Sequence, residues 1–155
     1  MEAPRPQPAT KPKSHLPGLP RPRLEIRNRQ TAALTFRSDQ WAANKAADQA
    51  LVAVRAWGYP GLDERDVRVA VRLLVDAAVR DGGRRVSLHL GDQGGKILVV
   101  ALSHRPGAAP EGDLFAELGA LATVDSCGDD LAEDGRRVWA VLDAAPRRRR
   151  SRTAA

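Results

Sequence analysis

The feature of this sequence that most constrains its fold is the stretch 63–102, in which helical periodicity gives way to strand alternation. Asp63 can accept hydrogen bonds from the first free N–H groups of a helix. From there to about Asp81, apolar residues recur at the i, i+3, i+4, i+7 spacing of a helix with one buried face. Gly82 is expected to end this helix, because glycine tolerates left-handed backbone angles. The residues predicted to face the core are Val67, Ala70, Val71, Leu74, Val75 and Ala78.

Two strands and a tight turn follow this helix. Over 85–90, apolar and polar residues alternate, as they do in a strand with one buried face. Residues 92–95 contain two glycines, which supply the positive φ angles of a hairpin turn. Residues 97–102 are apolar on both faces, which is typical of a central strand. Because the helix and the hairpin both present apolar faces, we expect the helix to pack on the sheet.

The segment before this unit predicts one strand and one further helix. Residues 31–36 suit an entry strand, and Ser38 is expected to cap a helix that runs to about Trp57. The Gly-Tyr-Pro-Gly sequence at 58–61 cannot continue that helix. Its predicted buried residues are Ala43, Ala47, Ala50, Leu51 and Val54.

The segment after the hairpin predicts one helix and two strands. A loop rich in proline and glycine over 106–112 precedes a short helix at 113–121. Strands are expected at 123–127 and 137–142, joined by an acidic loop at 129–135. The resulting order, β-α-α-β-β-α-β-β, predicts an α+β fold of two layers. Three helices would cover one face of a mostly antiparallel, mixed sheet of about five strands.

The two ends of the chain differ from its middle in composition. Residues 1–29 hold seven basic and two acidic residues and most of the prolines, and residues 144–155 hold five arginines and no acid. Residues 30–143 hold 13 basic and 17 acidic residues. We therefore predict one mildly acidic folded domain between two disordered basic tails. The tail residues that would contact nucleic acid or an acidic partner, independently of sequence, are Arg147, Arg148, Arg149 and Arg150.

Other classes of protein are disfavoured by the same composition. No apolar run approaches the roughly 20 residues that a transmembrane helix needs, and the start of the chain lacks the apolar segment of a secretory signal. One cysteine, Cys127, leaves no internal disulfide, and the histidines and cysteine lack zinc-site spacing. The bias towards arginine and alanine suggests a GC-rich bacterial genome. We expect a cytoplasmic protein without membrane contacts.

Four segments carry a resemblance to a known family. They read LVDAAVRDG at 74–82, VSLHL at 86–90, ILVVALS at 97–103 and GRRVWAVL at 135–142. In order and pattern, they resemble the histidine kinase-like ATPase superfamily, and most closely its small actinobacterial anti-sigma-factor serine kinases. The resemblance covers roughly residues 31–143. It implies the two-layer ATP-binding fold of that superfamily.

The resemblance also implies where a nucleotide site would lie. The family's magnesium-ligating asparagine falls on Ala77, or on Asp76 if the match slides by one residue. The aspartate that reads adenine falls on Ser103, and the glycine-rich lid falls on 114–119, which reads LFAELG. Hard cations prefer oxygen ligands, so only Asp76 suits Mg²⁺. We interpret Asp76, Ala77 and Ser103 as cofactor-binding positions whose chemistry has been degraded.

These residues lead to three alternative functions. The first is a regulatory module that keeps the scaffold, needs no cofactor and is catalytically inactive. It would bind a sigma factor or an antagonist protein, and would form a homodimer as relatives do. The second is a divergent ATP-dependent serine/threonine protein kinase, with Asp76 on Mg²⁺ and Ser103 on the base. The third is non-specific association with nucleic acid through the arginine tail.

Several residues whose side chains could take part in catalysis or binding are expected to have structural roles instead. Asp76 and Asp81 are expected to be exposed helix residues, with Arg72 and Arg80 at ion-pair spacing around Asp76. His104 is expected to be a solvated loop residue, and Cys127 a buried structural thiol. Trp41, Trp57 and Trp139 are predicted to pack between the helices and the sheet. The alternative for Trp41 is an exposed position from which it anchors a partner protein.

Overall fold

The computed structural model describes residues 30–106 and 113–146. The predicted N-terminal tail, residues 147–155 of the predicted C-terminal tail and most of the 106–112 loop lie outside the described residues. The predicted start of the C-terminal tail at 144 is wrong, because Ala144 is buried in the core and its N–H donates to the carbonyl of Gly95 at 2.8 Å. The elements follow the predicted order. They are β1 (Thr31–Arg37), α1 (Ala42–Arg55), α2 (Glu64–Val79), β2 (Arg85–Asp92), β3 (Lys96–Leu102), α3 (Asp113–Gly119), β4 (Val124–Ala132) and β5 (Gly135–Asp143).

The five strands form one open sheet in the order β1-β2-β3-β5-β4. All four pairings are antiparallel. The central pair, β3 and β5, runs in register from Lys96 opposite Asp143 to Leu102 opposite Arg137. Because β3 and β5 are not consecutive, the chain crosses from β3 through α3 and β4 before it returns to the middle of the sheet.

The core lies between one face of this sheet and the three helices, which confirms the two-layer α+β prediction. Every residue predicted to be buried on α1 and α2 is buried. Leu88 from β2 and Val99 from β3 are fully buried beneath them, and α3 contributes Leu114 and Leu118. The periodicity therefore identified the packed faces correctly, since a helix in a two-layer fold buries one stripe.

The first helix begins later than predicted. α1 starts at Ala42, and its N-cap residue is Trp41, which makes no side-chain cap hydrogen bond. Ser38 is not a cap, because the helix begins four residues later. Its N–H donates to the carbonyl of Arg84 at 2.9 Å and continues the β1–β2 ladder. Asp39 accepts from the N–H of Trp41 at 2.9 Å in the turn between strand and helix. The sheet extends one residue further than the alternation suggested and displaces the helix start.

The cap of the second helix is confirmed. The Asp63 side chain accepts from the N–H of Asp66 at 3.0 Å. Asp66, which is 4% exposed, in turn accepts from the N–H and the hydroxyl of Thr123 at 3.0 and 2.7 Å. These bonds fasten the start of α2 to the start of β4. At the other end of the helix, Gly82 adopts φ +85°, as the predicted stop requires.

The acidic stretch after Cys127 is a strand rather than a loop. β4 continues to Ala132, and only residues 133–134 form the turn to β5. Asp130 lies opposite Arg137, and their side chains are 3.0 Å apart. Strand pairing and this ion pair outweigh the low intrinsic strand preference of aspartate. No helix in the part of the chain that the structure describes is long and apolar enough to cross a membrane.

Candidate functional site

The two elements that carry the family's cofactor positions converge on one arginine. Ala77 lies on α2, and Ser103 follows the last residue of β3. Arg136, near the start of β5, contacts both residues: its Nη2 atom is 3.4 Å from the carbonyl oxygen of Ala77, and its own carbonyl accepts from the N–H of Ser103 at 3.1 Å. Two of the predicted site residues thus contact the same arginine, Ala77 through the arginine's side chain and Ser103 through its backbone carbonyl.

The guanidinium of Arg136 is held in a buried ion pair. Its Nε and Nη2 atoms donate to the two carboxylate oxygens of Asp81 at 3.0 and 2.8 Å. The two side chains are only 5% and 6% exposed. This two-pronged geometry is the strongest form of arginine–carboxylate pairing. Asp81 was predicted to be an exposed helix residue, and that prediction is wrong because the chain turns inward after α2 ends at Val79.

One nitrogen of the same guanidinium has no partner among residues 30–106 and 113–146. The Nη1 atom of Arg136 is buried and makes no hydrogen bond to these residues. An unsatisfied buried donor costs free energy, which the bidentate pair with Asp81 must offset. The pair is therefore fully formed on one side of the guanidinium and incomplete on the other.

Asp76 points away from this centre. It is exposed on α2, one residue before Ala77, and it forms no ion pair with any other residue in the described ranges. Within residues 30–106 and 113–146, Asp76 forms neither of the surface ion pairs predicted with Arg72 and Arg80. A carboxylate in this position faces solvent, whereas the residue that faces inward, Ala77, has no ligand atom on its side chain.

The hydroxyl of Ser103 is already engaged. It donates to the carbonyl of Arg105 at 3.0 Å and accepts from the N–H of Arg105 at 3.2 Å. The residue is 1% exposed. The hydroxyl oxygen keeps a second acceptor lone pair, but a side chain that is 1% exposed does not present it to the amino group of a base.

The stretch at the family's lid position is part of the core. Residues 113–119 form α3, in which Leu114 and Leu118 are buried against the other core side chains. Glu117 is exposed on the same helix. A short helix anchored by two buried leucines does not offer the free backbone N–H groups with which a glycine-rich loop surrounds phosphates.

The residues present do not fit Mg-ATP. A divalent cation placed at Ala77 would meet the buried guanidinium of Arg136 instead of a side-chain oxygen ligand. Among the residues of known placement, no group of three or more His, Cys, Asp or Glu side chains is arranged to hold a metal ion. The site is therefore better described as a closed ion-pair centre than as a nucleotide pocket.

A strained turn adjoins this centre. His104 has φ +64°, a left-handed conformation that is uncommon outside glycine. Its backbone crosses directly over Gly135, where an added Cβ would lie 2.7 Å from the Cα and N atoms of His104. The N–H of Arg136 donates to the carbonyl of Arg105 at 2.9 Å and closes the contact. Glycine is needed at 135 because the turn leaves no room for a side chain.

His104 is also more constrained than the sequence predicted. Its Nε2 atom is 2.7 Å from the hydroxyl of Ser87 on β2, which is a hydrogen bond rather than the solvated state expected for a loop histidine. Burial, and then the positive charge of Arg85, lower the pKa of His104 below its ordinary value. The neutral imidazole is therefore favoured in the folded protein.

The three tryptophans lie in three different environments. All three were predicted to pack between helices and sheet, but of the three only Trp57 packs against the core. Trp41 is 59% exposed at the start of α1. Trp139 lies on the sheet face opposite the helices, since its strand neighbours Val138 and Ala140 are the buried ones, and its ring covers Gly128, where a Cβ would be 2.9 Å away.

Cys127 is half-buried on β4 and packs against the core. Burial raises the pKa of its thiol, which disfavours the reactive thiolate. The prediction of a structural cysteine agrees with this environment. Arg147, Arg148, Arg149 and Arg150, the predicted contact for nucleic acid or an acidic partner, lie outside the described residues.

Comparison with known proteins does not identify a family for this chain. No family model matches the chain, and no curated protein matches it significantly. The resemblance to the histidine kinase-like ATPases thus rests on the four quoted segments, and the fold is established only as a two-layer α+β sandwich.

Proposed function

We propose that this protein is a regulatory interaction module that keeps the scaffold of an anti-sigma-factor kinase and acts by binding another protein, without catalysis. The observation that carries the proposal is the buried Arg136–Asp81 ion pair, whose guanidinium lies against the carbonyl of Ala77. Phosphoryl transfer depends on positioning and on neutralising the phosphates with metal and backbone groups. A buried arginine–aspartate pair at that position supplies neither.

The exposed surface of α1 supports a role in binding. Trp41 and Val52, which are 59% and 66% exposed, are eleven residues apart and so lie on the same side of the helix. Two ion pairs, Arg55–Glu64 and Arg68–Asp48, lie beside Val52 and form a polar border there. An exposed aromatic anchor with a polar rim is the usual composition of a protein interface.

The resemblance gives the class of partner. In the family that the chain resembles, the partners are sigma factors or small antagonist proteins, and homodimers are common. We propose a partner of this kind in a bacterial cytoplasm, with Trp41 as its main anchor and with no requirement for ATP.

Affinity capture with the full chain tests this proposal. Wild-type and Trp41→Ala baits are compared in extracts that are either supplied with Mg-ATP or depleted of it. We expect the wild-type bait to retain a regulatory protein regardless of ATP, and the Trp41→Ala bait to lose it. Retention only in the presence of Mg-ATP, or phosphorylation of a serine in the retained protein, would instead support the divergent kinase.

A further inference from the structure

One face of the sheet is open on the side away from the helices. The three helices pack on the other face, and alternate strand residues direct their side chains away from them. Across β2, β3 and β5, His89 lies opposite Val100, and Val100 lies opposite Trp139. These three residues are exposed or half-buried, and none belongs to the hydrophobic core. We call this surface, which no helix or strand of residues 30–106 or 113–146 covers, the outer face.

Trp139 places an aromatic ring on the outer face. A Cβ atom added to Gly128 would lie 2.9 Å from Cζ2 and 3.2 Å from Cε2 of this ring, so glycine is the residue that leaves the ring room against β4. Contact with Gly128 positions one side of the ring, and the residue as a whole is half-exposed. Aromatic rings held on an open sheet are surfaces on which unpaired nucleic-acid bases stack.

A hollow beside His89 extends this surface towards β1. It has a volume of about 450 Å³, and its lining includes Ala33, His89, Gly91 and Leu98. His89 is exposed and supplies a second ring, while Leu98 is half-buried and apolar. A flat, partly apolar group such as a base suits a hollow of this size and lining.

Exposed arginines lie together at the end of the sheet where β1 and β3 end and β2 begins. Arg37 lies directly opposite Arg85, although like charges in this position destabilise a strand pair. Neither side chain forms an ion pair with residues 30–106 or 113–146. Arg84 and Arg105 are exposed at the same end. Uncompensated positive charges of this kind favour an anionic partner.

The acidic residues of the sheet lie mainly along its far edge. Asp125, Asp129 and Asp130 are exposed on β4, the edge strand furthest from β1. Asp134 lies nearer the arginines, since it raises the pKa of His104, but burial and then the charge of Arg85 outweigh it and lower that pKa. The folded domain is therefore acidic as a whole, whereas the end of the sheet that carries the exposed arginines is basic.

We propose that the outer face binds single-stranded nucleic acid, with a base stacked on Trp139 and the backbone phosphates on Arg37 and Arg85. Two strand spacings separate Trp139 from His89, which is about 10 Å, and Arg85 lies about 13 Å from His89 along β2. A nucleic-acid strand that runs diagonally over this surface meets both the rings and the arginines. A duplex does not, because its bases are already stacked on one another.

This surface is distinct from those already considered. The arginine run at 147–150 offers charges without aromatic rings. Trp41, the anchor in the proposed function, lies at the start of α1 in the helical layer. The inference therefore depends neither on the protein partner nor on the loss of ATP binding. Because stacking reads no base edges, we expect little preference for nucleotide sequence.

Fluorescence anisotropy of the full chain with labelled single-stranded RNA and DNA of about 12 nucleotides tests the proposal. We expect the wild type to bind both. Trp139→Leu should raise the dissociation constant at least about tenfold, because the stacking of one base is lost. Trp139→Phe keeps a ring and should retain most of the affinity. Trp41→Leu removes an exposed tryptophan from the helical layer and is the control that should bind normally.

The arginines are tested in the same assay, and their exposure allows replacement without loss of the fold. Arg37→Gln with Arg85→Gln should weaken binding at least about tenfold at low salt. The slope of log affinity against log salt should fall by about 1.4, the value for two phosphate contacts with a single strand. Lys45→Gln with Arg65→Gln removes two exposed charges from the helical layer and should change neither quantity appreciably.

Two further comparisons separate the outer face from charge alone. Replacing residues 147–150 by serine should leave the effect of Trp139→Leu in place, and an abasic oligonucleotide of the same length should bind at least about tenfold more weakly. The proposal is overturned if the wild type does not bind, if binding depends on residues 147–150 but not on Trp139, or if the abasic strand binds equally well. Equal binding of the abasic strand would indicate an acidic protein as the partner. All of these outcomes leave the Mg-ATP and capture tests of the proposed function unaffected.

Discussion

The ion pair between Arg136 and Asp81 leads to a quantitative prediction. Arg136→Met removes the guanidinium but keeps an apolar side chain of similar length. It leaves the Asp81 carboxylate, 6% exposed, without the two bonds of 3.0 and 2.8 Å that compensate its burial. Breaking a buried pair on one side costs about 3–5 kcal/mol. We expect the free energy of unfolding to fall by that amount, measured by urea denaturation followed by circular dichroism.

The neighbouring residue supplies the control. Arg137 pairs with Asp130, but these side chains are 43% and 53% exposed. Exposed pairs contribute less than about 1 kcal/mol, so Arg137→Met should change stability little. Combining Asp81→Leu with Arg136→Met removes both buried charges and should restore most of the loss, as replacement of buried pairs by apolar residues often does. The reasoning is refuted if Arg136→Met costs no more than Arg137→Met, or if the double variant loses the sum of the single effects.

Three further predictions concern the strained turn and α1. Gly135→Ala should lower the free energy of unfolding in urea by about 2 kcal/mol, because φ is +134° and the new Cβ would meet backbone atoms. Gly119→Ala is the control and should change it little, because the space around Gly119 is open. Equal effects of the two substitutions would contradict this reasoning. Since the pKa of His104 is lowered in the fold, the unfolded chain binds more protons, so stability should fall as pH drops below about 6.5. Asparagine tolerates the left-handed backbone, so His104→Asn should remove the contribution of His104 to the pH dependence of stability. An unchanged pH profile would contradict the role of His104. Trp41→Ala should change the free energy of unfolding by less than about 0.5 kcal/mol, because the side chain is mostly exposed, and a larger loss would show a structural role.

Much of the fold could be predicted because its signals are local. The apolar spacing on α2 and the Asp63 cap lie within one helix, and the hairpin at 92–95 depends on adjacent residues. The error at Ser38 arose where a local signal competes with a long-range contact: a serine before an apolar stripe suits a cap, but the strand ladder with Arg84 takes its backbone N–H. Sequence spacing alone does not show which of the two is stronger.

The site could be predicted only in part, because its central contacts join distant residues. Ala77 and Ser103 were identified through the resemblance, and in the structure both contact Arg136. Arg136 was not singled out, since its partner Asp81 is 55 residues away in the chain. The bond between His104 and Ser87 was missed for the same reason. A basic residue directly after a glycine at the start of a strand gives no signal that it will be buried.

The central claim is that the nucleotide site has been replaced by an ion pair, and calorimetric titration of the full chain with ATP tests it most directly. The titration is run with and without Mg²⁺ on the wild-type protein. We predict no binding heat under either condition, because the guanidinium of Arg136, paired with Asp81, lies against Ala77, and Ser103 is buried. Magnesium-dependent binding with a dissociation constant in the low micromolar range would contradict the account and would favour the divergent kinase.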